Sequence, residues 1–244
     1  MKPSEEPLSY RKRASARRND SASLFASETN VDEVAIPVEG AVLHGQLTPA
    51  RAGSGVVLFA HGSGSSRHSP RNRFVARAIH ESGVGTLLFD LLTPAEEAQD
   101  EDSGRFRFDI GRLASRLVAA TEWLQHQAGE QPWRIGYFGA STGGAAALVA
   151  AAQAGRAVHA VVSRGGRPDL AGDALSKVLA PTLLIVGERD ELVLELNEEA
   201  FSQLRCPKQL VTVPRATHLF EESGALDHVA RLAREWFDRH LKAR

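Results

Sequence analysis

From about residue 31 onward, short apolar runs alternate with longer segments whose apolar residues recur at helical spacing. "VDEVAIPV" (31–38) and "AVLHGQLTP" (41–49) alternate around Glu39-Gly40 and predict a β-hairpin. "GVVLFA" (55–60), "VGTLLFDLL" (84–92), "WRIGYFG" (133–139), "AVHAVVS" (157–163), "PTLLIVG" (181–187) and "KQLVTVP" (208–214) read as strands. Their nearly continuous apolar character suits strands covered on both faces. Residues 69–83 predict a helix, with Ser69 as its N-cap, Pro70 at the first helical position and Gly83 as its stop. In residues 109–127, Ile110, Leu113, Leu117 and Leu124 mark a second helix. Residues 93–108 are rich in charge and predict a polar loop. "ALDHVARLAREWFDRHLKAR" (225–244) is an amphipathic closing helix. The alternation predicts an α/β fold: a mainly parallel central sheet with an N-terminal antiparallel hairpin and helices on both faces. Sheets of this kind carry their chemistry just past the carboxyl ends of the strands.

Composition narrows the function classes. The 244 residues are 43% hydrophobic and carry a net charge of −1, so no global field favours nucleic acid or an anionic membrane. No apolar run approaches the roughly 20 residues of a membrane span. The single cysteine, Cys206, permits no intrachain disulfide and agrees with a cytoplasmic location. Residues 1–30 differ from the rest: they are polar, with six basic and four acidic side chains and no apolar period. They are expected to form a disordered tail ahead of one domain over 31–244.

"RIGYFGASTGGAAALVAAA" (134–152) holds Ser141 between glycines, after a strand and before an alanine-rich helix. A turn that tight forces the serine backbone into a strained conformation, and bulkier neighbours two positions away would clash. The hydroxyl then projects above the sheet, with the positive end of the next helix behind it. A serine hydroxyl is a weak nucleophile and needs a base that is itself oriented by an acid. The chain supplies both at later strand ends. Asp190 follows "PTLLIVG", with Glu188 and Glu191 as rival acids, and His218 follows "KQLVTVP". The spacings leave room for one strand–helix unit and then one helix–strand unit. Acyl transfer also needs N–H donors for an oxyanion. One is expected from the backbone of Thr142, whose side chain is expected to be dispensable. The other is expected from Ser63 or Gly64 in "FAHGSGSS" (59–66). His61 in the same run is assigned a structural hydrogen bond.

Taken in order, "HGSG", "GASTGG", "GERDELV" and "ATHLF" resemble the α/β-hydrolase superfamily over about residues 31–244. Within it, the chain is most similar to the dienelactone-hydrolase-like group. Well-known members of that group use a cysteine nucleophile where this chain has Ser141; Cys206, at the entry to a strand, does not replace it. The resemblance implies a cofactor-independent serine hydrolase for small soluble carboxylic esters or lactones. The same triad would also serve a thioesterase, peptidase or acyltransferase, and the fold also hosts catalytically silent binding proteins. No phosphate-binding loop, H-E-x-x-H or paired-cysteine metal motif occurs, so neither cofactor nor metal is implied. The expected partner is the ester substrate, with neither nucleic acid nor membrane, and with a homodimer left open.

Only Arg164 to Pro181 separates two of the strands, room for a loop and one short helix rather than a large lid. Arg164, directly after a strand, and Arg167 are candidates to bind a substrate carboxylate. In "RFRFD" (105–109), Phe106 and Phe108 are assigned to packing.

Overall fold

The computed structural model describes residues 31–52, 54–128 and 132–242. The tail expected over residues 1–30 lies outside them. Eight strands form one sheet in the order β1-β2-β4-β3-β5-β6-β7-β8. They are β1 (Asp32–Val38), β2 (Ala41–Thr48), β3 (Val56–Ala60), β4 (Gly85–Phe89), β5 (Ile135–Ala140), β6 (Val158–Arg164), β7 (Thr182–Gly187) and β8 (Lys208–Val213). β1 and β2 form the expected hairpin, and β2 also runs antiparallel to β4; every other pairing is parallel.

The apolar runs explain the layering. All residues of β3, β4, β5 and β7 are buried, because helices cover both faces. On one face α1 (Pro70–Glu81) packs against α6 (Ala225–Leu241). The other face carries α3 (Ile110–Gln127), α4 (Thr142–Ala154) and α5 (Glu191–Gln203). Caps follow the sequence: Ser69 accepts from Asn72 N–H with Pro70 at the first position, and Asp109 accepts from Arg112 N–H.

The segment expected as a polar loop contains a further helix, α2 (Pro94–Asp100). Thr93 and Glu96 form a reciprocal capping box, with Pro94 opening the helix. Glu96 also meets Arg112 and Arg116, which ties α2 to α3. Burial opposes ionisation of Glu96, yet the hydrogen bonds from Arg116 and Thr93 outweigh it and draw its pKa down to about 2. Asp100, 1% exposed, accepts from the backbone N–H groups of Phe106 and Arg107 and from Arg107 Nε. This pairing closes the turn after α2. Phe106 packs against the core, as expected, whereas Phe108 is 58% exposed and packs little.

From β3 the chain steps to β4 on one side and afterwards to β5 on the other. The crevice at such a reversal lies between the carboxyl ends of β3 and β5, where their following helices leave on opposite faces. "HGSGSS" and Ser141 border that crevice. Between β6 and β7 the chain forms a 3-10 segment (Pro168–Lys177) kinked at Gly172, and no long insertion.

Candidate active site

Ser141 sits at φ 51° and ψ −123°, a sparsely populated region for a residue with a side chain. Such a conformation costs about 1–3 kcal/mol and persists only where packing over-determines it. That packing is backbone against backbone. A Cβ on Gly139 would lie 2.3 Å from the Gly143 carbonyl oxygen, and one on Gly143 would lie 2.2 Å from that of Ala60. Ser141 occupies the N-cap of α4, yet it makes no side-chain cap bond, unlike Ser69 and Asp109. Its hydroxyl is therefore not spent on the helix. Its own N–H donates to Arg164 O at 3.3 Å, and its carbonyl accepts from Arg167 N–H at 3.1 Å.

Asp190 and His218 come together, although each enters from a different loop. His218 Nδ1 lies 2.6 Å from Asp190 Oδ2. An ionised carboxylate only accepts, so Nδ1 donates and Nε2 is left as the basic nitrogen. Glu188, one rival acid, instead accepts from Arg215 N–H at 2.6 Å. Glu191 begins α5, in its first turn. Asp190 is 15% exposed and His218 is 38% exposed at the side chain. His218 is thus open to a substrate while its acid partner is shielded. His218 also packs on the turn after β6: a Cβ on Gly165 would stand 3.5 Å from His218 Cε1. Ser141 hydrogen-bonds to Arg164, the neighbouring residue. Serine and histidine therefore meet the same Arg164–Gly165 step. The Ser141 hydroxyl and the imidazole are not hydrogen-bonded to each other in this structure; such contacts are commonly long until substrate arrives.

The loop after β3 lies against the elbow. A Cβ on Gly62 would be 3.1 Å from Ser141 Cβ. His61 is 7% exposed; its Nε2 accepts from Leu91 N–H at 3.0 Å, so its proton resides on Nδ1, facing Gly62 O at 3.0 Å. Both ring nitrogens are used structurally, as expected, and burial lowers the pKa. Ser63 N–H donates to Thr142 Oγ1 at 2.9 Å. The Thr142 side chain, expected to be idle, is therefore engaged, and the Ser63 amide already has an acceptor. Gly64 adopts φ +68°. This loop forms one wall of a cavity of about 490 Å³, with Leu91, Leu92 and Leu113 among its apolar lining and Glu97, Glu101 and Arg107 among its charged residues.

The two candidate arginines differ. Arg167 is held by Asp169 through two bonds of 2.8 and 2.7 Å, so its guanidinium is committed within the chain. Arg164 is 7% exposed, and its Nε and Nη1 have no hydrogen-bond partner. Its guanidinium lies 5.7 Å from the Phe220 ring centroid. Burial first and Arg71 second bring its pKa down to about 10. Sequence reasoning missed Asn197, a fully buried residue inside α5. Its Nδ2 donates to Gly166 O at 3.0 Å and so braces the turn beneath His218 from behind. A polar residue on the inward stripe of an amphipathic helix was its only signal. Among the described residues no cluster of His, Cys, Asp or Glu is suited to a metal, and no helix is long and apolar enough to cross a membrane.

Sheet order, the elbow after β5 and the histidine after β8 together define an α/β-hydrolase fold. Residues 46–242 match the model of the dienelactone hydrolase family, and the chain belongs to that family. A dienelactone hydrolase from Anabaena variabilis is 57% identical, with a TM-score of 0.85 over 87% of this chain and 99% of that one. A Mycobacterium tuberculosis protein named a putative phosphoribosyl transferase is 56% identical over 214 residues, 88% of this chain and 47% of that one. The chain thus spans about half the length of the curated relatives it matches first. Est1E from Butyrivibrio proteoclasticus, solved with ferulic acid, shares the fold at 18% identity, with a TM-score of 0.69 over 85% of this chain and 98% of that one.

Proposed function

We propose that the protein is a serine hydrolase that cleaves small carboxylic esters or lactones through an acyl-enzyme. The observation that carries this reading is the strained, uncapped Ser141 meeting the turn after β6 on which the Asp190-bound His218 also rests. Membership of the dienelactone hydrolase family and the Anabaena relative support hydrolysis. The phosphoribosyl transferase name belongs to a relative about twice as long, whereas the elbow and the His–Asp pair are present in this chain.

In this mechanism Ser141 Oγ bonds to the carbonyl carbon as its proton passes to His218 Nε2. The carbonyl π electrons move onto oxygen, to which the Thr142 N–H at the start of α4 donates a hydrogen bond. Asp190 holds the imidazolium through Nδ1. The tetrahedral adduct then collapses, expelling the alkoxide, which takes the proton from Nε2. Water, deprotonated by the same nitrogen, attacks the acyl-enzyme, and Ser141 leaves with the proton returned. The short connection between β6 and β7 supports small soluble substrates rather than long lipids. Arg164, with two unpaired buried nitrogens, is the candidate for an acid group on the substrate; Arg167, bound to Asp169, is not. Cys206, the one cysteine, is buried, which suits a reducing compartment such as the cytoplasm.

Turnover of p-nitrophenyl acetate tests the reading. Ser141→Ala is expected to lower kcat by about 10⁶-fold, with the fold intact by circular dichroism. Full turnover in that variant would remove Ser141 from the reaction.

A further inference from the structure

We infer that the Thr142 hydroxyl is part of the oxyanion-binding group, accepting the Ser63 amide and presenting its own proton to the substrate oxygen. The inference rests on the reading of Ser141 as nucleophile and specifies how its oxyanion is held. Three observations lead to it. Ser63 N–H, a natural second donor for the hole, points at Thr142 Oγ1 at 2.9 Å. An amide carries one proton, so Ser63 serves an oxyanion at one remove, through the atom that already receives it. Thr142 is 4% exposed and opens α4 directly after the nucleophile, and Ser63, bonded to its Oγ1, lines the cavity beside the elbow.

A hydroxyl has one proton and two lone pairs. One lone pair of Thr142 Oγ1 is taken by Ser63, and the hydroxyl proton has no acceptor among the described residues. The chain of donors then runs Ser63 N–H to Thr142 Oγ1, and Thr142 Oγ1–H to the oxyanion. The Thr142 N–H acts alongside it. No proton changes hands: each bond polarises the next as charge develops, and the relay strengthens in the transition state. The surroundings hold this geometry rigid. Gly143 meets Ala60 backbone to backbone, Gly62 lies on Ser141 Cβ, and His61 pins Gly62 O. The hydroxyl thus stays in place without reorganisation, as an oxyanion donor must.

Two substitutions separate the hydroxyl from the shape of the side chain. Thr142→Val keeps the β-branch and removes the proton; Thr142→Ser keeps the proton and removes the methyl. Removal of one oxyanion donor predicts that Thr142→Val lowers kcat on the order of 10²-fold, with KM within about threefold of wild type. Affinity for a trifluoromethyl ketone, which forms a tetrahedral adduct, falls by the same factor, a loss that a purely structural role would not track. Thr142→Ser recovers most of the activity. Undiminished kcat in Thr142→Val, or a Thr142→Ser enzyme as slow as Thr142→Val, overturns the proposal. A measurement on the wild-type protein needs no variant: the Ser63 amide proton resonance moves downfield when the adduct forms, and an unmoved resonance also overturns it. Failure of the underlying reading has a different signature, the absence of any covalent ketone adduct at Ser141 in wild type.

Discussion

Ser141 and His218 reach the turn after β6 by different physical means. The serine is placed by backbone: Gly139 and Gly143 meet the backbone of Gly143 and Ala60 so closely that a side chain on either is excluded, Gly62 lies tight against Ser141, and a strained φ of 51° is locked in. The histidine is placed by side chains: a 2.6 Å bond to Asp190 and a ring resting over Gly165, in a loop where Arg215 and Phe220 also take positive φ. The first half of the site is part of the core. The second half is partly exposed and depends on one charge-assisted bond. Stability and activity are therefore expected to separate, with side chains added at the glycines around Ser141 costing both and changes near His218 costing mainly rate.

Asp190→Asn gives the largest separation. It keeps the shape but presents a donor that favours the wrong tautomer, so kcat is expected to fall about 10⁴-fold. The melting temperature should stay near that of wild type, and a collapse of the fold would show that the pair is a structural brace. Gly143→Ala probes the other half. With its Cβ 2.2 Å from Ala60 O, the first turn of α4 must leave the β3 loop. A loss of about 3 kcal/mol or more in urea unfolding is expected, together with loss of turnover. A variant as stable as wild type would show that the contact yields easily.

Acid sharpens the same contrast. Burial lowers the pKa of His61, so its folded-state contribution is complete above the ordinary value of 6.5. As pH falls below 6.5 the unfolded chain binds the proton first and stability declines, with a limiting slope near 1.4 kcal/mol per pH unit for one proton. His61→Gln should flatten that part of the stability curve; an unchanged slope would place the responsible group elsewhere. The smallest effect is expected at Gly165, which holds φ +49°. Gly165→Ala should cost about 1 kcal/mol through backbone strain, with the His218–Asp190 bond retained. A drop in rate as large as that of Asp190→Asn would mean that the step under His218 positions the base as strongly as its acid does.

Much of this site was legible in the residues. Strand runs and helical spacing point to the layered sheet because burial on both faces needs continuous apolar residues. The elbow is legible because few local patterns demand glycine on both sides of a serine. Asp190 and His218 are legible from their places after strands. What escaped depends on tertiary neighbours or on short-range pairing. α2 hides in a charged stretch because its start rests on the Thr93–Glu96 box rather than on an apolar period. Arg167 turns to Asp169, two residues on, which no strand-end argument foresees. The Thr142 side chain and Asn197 act across the fold, on Ser63 and Gly166, so their partners are invisible until the chain is folded.

On this reading Ser141 is the activated nucleophile of the site. Labelling the purified protein with a fluorophosphonate and mapping the adduct by peptide mass spectrometry tests it most directly. One adduct per chain is expected, on the peptide containing Ser141, abolished in Ser141→Ala and strongly slowed in His218→Ala. An unlabelled wild-type protein, or an adduct on a different residue, would contradict it.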